Sequence, residues 1–131
     1  MEFTQWTARF SVGDPMMDAY HHIFFETIRS FATALPDLST DAVEERIQFL
    51  ANYAQMHFDS EERLLEEIHY PDLEAHRVNH RLFREQIALI QQAYHANPTP
   101  ALAEKLLAMT QDWLKEHVLS EDMKYKAYVT K

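Results

Sequence analysis

Four stretches of this chain repeat apolar residues at steps of three and four, and the breaks between them contain proline. The first stretch runs Met17, His21, Phe24, Ile28, Phe31, Leu35; the second Val43, Ile47, Leu50, Ala54, His57, Glu61, Leu64, Ile68. The third runs Leu73, His76, His80, Phe83, Ile87, Ile90, Tyr94, and the fourth Leu102, Leu106, Met109, Trp113, His117. Such steps mark one face of an α-helix. Pro36-Asp37, Pro71 and Asn97-Pro98-Thr99-Pro100 punctuate them. Helices are therefore expected over about 16–35, 41–68, 72–96 and 100–119. An irregular arm of about 15 residues precedes them, anchored by Trp6, Phe10 and Val12, and a short polar tail follows. Ser39, Thr40 and Asp41 are candidate caps for the second helix, with Glu44 placed as in a capping box. Thr99 and Pro100 suit the start of the fourth. With 131 residues and 47% apolar content, this is one all-α domain. Short connections make consecutive helices antiparallel, giving an up-down-up-down four-helix bundle.

Seven residues sit awkwardly in that core: His21, His57, Glu61, His76, His80, His117 and Asp122. Six occupy apolar stripes, and burying so many polar groups is costly unless something binds them. His21 opens its helix, His57 and Glu61 fall late in theirs, His76 and His80 are early, and His117 is last. In an alternating bundle all these positions lie at one end. His57 with Glu61, and His76 with His80, are i, i+4 pairs on one helix face. Asp122 is out of phase, roughly 140° around a straight helix from His117. Both point inward only if the helix departs from α-geometry near Leu119, Ser120 and Glu121, and π-bulges recur at functional sites.

Imidazole with carboxylate and no thiolate fits iron, and also zinc, copper, manganese or nickel. Seven ligands exceed the needs of one ion. Two six-coordinate ions offer about 12 positions; five nitrogens, two bridging carboxylates and a bridging oxygen fill about 11, leaving one open. His22 is off the stripe and is not counted. His69 and His95 belong at helix ends facing solvent. Met16, Met17, Met56 and Met109 are read as packing rather than ligands.

The motifs Trp6…Gly13…Asp18-x-x-His21, His57-Phe58-x-x-Glu61-Glu62, Tyr70-Pro71…His76-x-x-x-His80 and Trp113-Leu114-x-x-His117-Val118-x-x-x-Asp122 occur in this order along the whole chain. In order and spacing they resemble the hemerythrins, above all the single-domain bacterial ones. The resemblance implies two non-haem Fe ions with an oxo or hydroxo bridge. His76, His80 and His117 would hold one, His21 and His57 the other, and Glu61 and Asp122 would bridge them. It also implies reversible O2 binding at the position left open on the His21/His57 iron. Phe58, Leu65, Trp113, Leu114 and Val118 flank these ligands and are the expected walls of the O2 pocket.

The function so implied is an O2 carrier, a store, or a supplier to an O2-consuming enzyme, and not an enzyme itself. An O2 or redox sensor is one alternative, although no output domain is visible. A di-iron protein with peroxidase or NO-handling activity is another, but the chain has a single Glu-x-x-His triplet, Glu66 to His69. A formal charge of −9 argues against nucleic acid and anionic lipid as partners. The absence of Cys excludes disulfides and thiolate metal sites. No signal segment or membrane span is visible, so a cytoplasmic protein without membrane insertion is expected.

Overall fold

The computed structural model describes residues 3–129. Residues 1–2 of the arm and 130–131 of the tail lie outside the described residues. The helices are α1 (Pro15–Ala34), α2 (Thr40–Glu67), α3 (Leu73–Ala96) and α4 (Pro100–His117). Each packs against two others: α1 on α2 and α4, α3 on α2 and α4. This is the antiparallel four-helix bundle that the stripes and short connections dictate. No strand occurs among the described residues, and no helix there is long and apolar enough to cross a membrane.

Local chemistry sets the helix ends. The Asp14 carboxylate accepts from the Met17 N–H at 2.9 Å, and Pro15 occupies the first helical position. Ser39, rather than Thr40 or Asp41, caps α2 through the Ala42 N–H at 3.1 Å. At the other end of α2, His69 takes a left-handed φ of 55°. The His69 N–H then reaches the Glu66 carbonyl at 3.1 Å, and the Tyr70 N–H the Leu65 carbonyl at 2.9 Å. This is a Schellman closure with histidine where glycine is usual. It turns the chain sharply into α3 and buries Tyr70 beside the ligand end of the bundle.

The arm is pinned to α1. Asp18 accepts from the Ser11 hydroxyl at 2.6 Å and the Val12 N–H at 2.8 Å. Phe10 and Val12 are buried, while Trp6 stacks on His22 at 5.4 Å. That stacking holds His22 on the outer side of α1, exposed. Met17 is buried, but Met16 and Met56, read from the sequence as packing, are exposed.

Two departures from the sequence reading concern α4. Its most buried face is Ala103, Leu106, Leu107, Thr110, Leu114 and His117, so Leu102, Met109 and Trp113 are only half-buried. Thr110 satisfies its hydroxyl on the Leu106 carbonyl at 2.7 Å, so a polar residue fits a core position. The segment expected to be a polar tail is helical. Five residues of π-helix, Val118–Asp122, lead into α5 (Met123–Val129). The Met123 N–H reaches back to the Val118 carbonyl, the five-residue step that defines the π-turn.

Candidate metal centre

All seven polar stripe residues meet at one end of the bundle. His21 comes from α1, His57 and Glu61 from α2, His76 and His80 from α3, His117 from the last turn of α4, and Asp122 from the end of the π-segment. None is more than 3% exposed. The π-turn is what admits Asp122. By holding one extra residue it brings position 122 back to the face of His117, and Asp122 Oδ1 lies 3.0 Å from His117 Nε2. The irregularity expected between His117 and Asp122 is therefore present and has a structural purpose.

Within the cluster each carboxylate faces two ways. Glu61 turns Oε1 toward His76 Nε2 at 2.6 Å and His80 Nε2 at 3.1 Å. Its Oε2 faces His21 Nε2 at 3.3 Å and His57 Nε2 at 3.6 Å. Asp122 repeats the pattern, with Oδ1 3.1 Å from His76 Nε2 and Oδ2 3.2 Å from His21 Nε2. All five imidazoles thus present Nε2 inward. Donor atoms of Glu61, His76, His80, His117 and Asp122 lie within 4.8 Å of one another, and so do those of His21, His57 and Glu61. The geometry gives a three-histidine group and a two-histidine group, with the carboxylates between them.

The hydrogen-bond inventory fits a metal-binding role. His21 and His57 have no hydrogen-bond partner at either ring nitrogen, and Asp122 has none at either oxygen. Buried polar groups are normally paired. Here they converge with the donor set that suits divalent metal, imidazole nitrogen and carboxylate oxygen. The hemerythrin family, described as "Hemerythrin HHE cation binding domain", matches residues 12–129. The chain belongs to the hemerythrin family.

Relatives extend over nearly the whole chain. A bacteriohemerythrin of Stenotrophomonas maltophilia (strain R551-3) is 27% identical over 125 residues, covering 95% of this chain and 80% of that protein. A myohemerythrin of Theromyzon tessulatum is 28% identical over 123 residues, 93% and 90% of the two chains. A crystal structure of wild-type hemerythrin superposes with a TM-score of 0.89 at 23% identity, covering 99% of this chain and 100% of the other. That structure shows the shared fold.

Two residues that sequence reasoning missed support this hemerythrin cluster. Tyr125, fully buried on α5, donates its hydroxyl to Glu61 Oε2 at 3.0 Å. Burial first, then the charges of Glu61 and Asp122, hold its phenol well above the ordinary range, so it remains a donor. The signal was available: Asp122, Tyr125 and Val129 form a new helical stripe once the phase is restarted at Asp122. Glu62 accepts from His80 Nδ1 at 3.0 Å. That contact fixes the ring with Nε2 turned into the cluster. Glu62 stands in an acidic run with Glu66 and Glu67, which are exposed, and only the approach of His80 sets it apart.

The expected pocket walls divide. Phe58 lies flat on His80, with centroids 3.9 Å apart, and Trp113 lies flat on His117 at 4.3 Å. Both therefore cover the three-histidine group. Phe58 also approaches His57, at 5.3 Å. Leu65, Leu114 and Val118 are fully buried. Against His57 the structure adds Tyr20, stacked at 5.4 Å, and Phe24, edge-on at 5.8 Å.

Protonation divides the histidines as well. Burial lowers the pKa of all four imidazoles that shift. For His21 and His76 the nearby Asp122 and Glu61 outweigh burial and raise the pKa to about 9 and about 10. His117 is raised for the same reason. At His57 burial wins and lowers it to about 4. Glu61 and Asp122 are held well below the carboxylate range, because the surrounding imidazoles overcome the cost of burial.

The sign of the pH dependence follows. The raised histidines stabilise the metal-free fold fully below about pH 6.5, and that contribution is lost as pH rises through about 9 to 10. The depressed carboxylates stabilise above about pH 4 and lose their contribution in acid. His57 adds to the acid loss, since charging it is unfavourable. Ligation needs neutral imidazoles and releases their protons. The melting temperature of metal-free protein should therefore fall between pH 7 and 10, while that of metal-loaded protein should not. Parallel pH profiles of the two forms, measured by circular dichroism, would refute the assignment of His21 and His76 as ligands.

Proposed function

We propose that the chain binds O2 reversibly at two non-haem iron ions, as a carrier, a store or a supplier to an O2-consuming enzyme. His76, His80 and His117 would hold one ion and His21 and His57 the other, with Glu61 and Asp122 shared. The observation that carries this reading is the unequal division of the cluster. Glu61 turns Oε1 toward His76, His80 and His117 and Oε2 toward His21 and His57, while Asp122 turns Oδ1 toward His76 and His117 and Oδ2 toward His21, so the two-histidine side is one donor short. Iron held there would supply the electrons and the open coordination position that O2 needs.

The chain's own residues do the rest. Phe24 and Phe58 present apolar edges and faces to His57, and Leu65, Leu114 and Val118 are buried around the cluster, keeping water away. The Tyr125 hydroxyl keeps its proton and lends it to Glu61 Oε2, the oxygen on the two-histidine side. This damps the charge of that oxygen and fixes its direction. Binding is favoured over catalysis because the proton-bearing groups beside the cluster are already committed. Tyr125 is bonded to Glu61, and His80 to Glu62.

The deciding experiment is optical. Iron-loaded protein is reduced without air, exposed to O2 and deoxygenated through several cycles. A visible charge-transfer band that appears with O2 and disappears without it is the expected result. Irreversible oxidation on first exposure would overturn the carrier reading, and about one ion per chain on metal analysis would overturn the two-iron site.

A further inference from the structure

A reversible O2 binder that loses an electron needs one returned from outside, and with no Cys the chain carries no thiol to supply it. The structure offers a port. Met16 and Ile23 on α1, and Phe49 and Met56 on α2, are each more than half exposed. Each pair is seven residues apart, so each lies along one helix face. Ser60 of α2 contacts Met16, and Ile23 and Phe49 line one groove whose floor includes the buried Phe31. Ser60 lies one turn beyond Met56, so exposed apolar side chains of α1 and α2 meet along their shared seam at two points, Met16 near Met56 and Ile23 near Phe49.

Beneath the patch, rings lead inward. Phe49 stacks on Tyr53 with centroids 6.3 Å apart and planes 18° apart. Tyr53 meets Tyr20 at 6.0 Å and donates its hydroxyl to the Tyr20 carbonyl at 2.8 Å, joining the two helices. Tyr20 stacks on His57 at 5.4 Å and 17°. An exposed ring is thus connected to the two-histidine side of the cluster through bonded or stacked neighbours.

We propose that this α1–α2 face docks a basic one-electron carrier protein that returns oxidised iron to the ferrous state. The inference rests on the two-iron reading above. In each encounter the carrier loses one electron and one ferric ion becomes ferrous; two encounters restore the pair. Three observations select this occupant. The patch is four side chains, the scale of a transient electron-transfer contact rather than of a permanent dimer. The chain carries −9, which attracts a basic partner and repels a second copy. Around the patch Glu26 and Arg29 neutralise each other at 2.7 Å, which leaves Glu45 and Asp59 against Arg46.

Cytochrome c, a basic one-electron haem protein, is the probe. Titrated into 15N-labelled metal-free protein at low salt, it should shift amides of residues 16–27 and 45–60, and about 0.5 M salt should abolish the shifts. In anaerobic stopped flow, ferrous iron-loaded protein should reduce oxidised cytochrome c through the same face. The pair Ile23→Ser and Met56→Ser should slow that reaction about tenfold. Phe49→Leu should also slow it, and Leu82→Ser, equally exposed on α3, should not. No binding at low salt, shifts centred on the Trp113 face, or equal slowing by Leu82→Ser would each overturn the proposal. Sedimentation showing a stable dimer that Ile23→Ser dissolves would assign the face to a second copy instead. Failure of O2 cycling with face-dependent electron transfer intact would count against the O2 reading alone. The reverse result would count against the port alone.

Discussion

Replacing Glu61 with alanine should strip iron from both halves of the centre at once. Glu61 offers Oε1 to His76 and His80 and Oε2 to His21 and His57, so no other single side chain touches as many of the imidazoles. Metal analysis should fall from about two ions per chain to about none, because both ions lose a ligand and their common bridge. The metal-free fold should suffer as well. His21 and His76 hold their protons largely through Glu61 and Asp122, and removing one carboxylate leaves buried imidazolium under-compensated. Breaking one side of a buried ion pair costs about 3–5 kcal/mol. For a domain of this size that lowers the melting temperature by roughly 10–20 °C. Retention of two ions by Glu61→Ala would show that the carboxylate is not shared.

Changing the length of the π-segment should have an equally large effect, and of opposite outcome for opposite changes. The segment carries one residue more than an α-turn would. Deleting exposed Ser120 shortens the His117-to-Asp122 step to four, which an ordinary α-helix places on one face. That variant should keep both ions and lose only the π-turn. Inserting one alanine after Ser120 makes the step six and rotates everything beyond it by about 100°. Asp122 and Tyr125 then leave the cluster together, and iron affinity should fall by a factor of about 10 to 100 or more. Iron content and competition with a chelator separate the two variants. If the insertion were tolerated and the deletion were not, the π-turn would not be what positions Asp122.

The helices and the polar stripe were legible because both follow from a period of 3.6 residues, and burial enforces that period. The convergence of the seven polar residues at one end of the bundle could be placed from chain order alone. What the sequence hid lies where the period shifts. After the π-turn the stripe restarts at Asp122, so Met123, Tyr125 and Val129 fall out of phase with Trp113 and His117 and read as a tail. Thr110 was hidden because its hydroxyl bonds within its own helix, which lets a polar residue fill a core position. Glu62 looked like its solvated neighbours, and only the three-dimensional approach of His80 distinguishes it. Tyr20 and Phe24 flank His21 in sequence, but the ring they wall is His57 across the α1–α2 seam, a contact that chain order does not reveal.

The two ends of the bundle are held by different physics. Where α1 turns into α2 and α3 into α4, apolar residues such as Phe31, Val43, Tyr94 and Leu107 pack without help from any ion. At the opposite end the chain relies on histidines and carboxylates whose energetics depend on what they bind. Opening of that end need not travel the length of the molecule, since local and global unfolding draw on different contacts. On the two-iron reading an emptied centre would be refilled in place, with the far half of the bundle serving as a permanent jig that keeps the helices bearing the histidines and carboxylates in register.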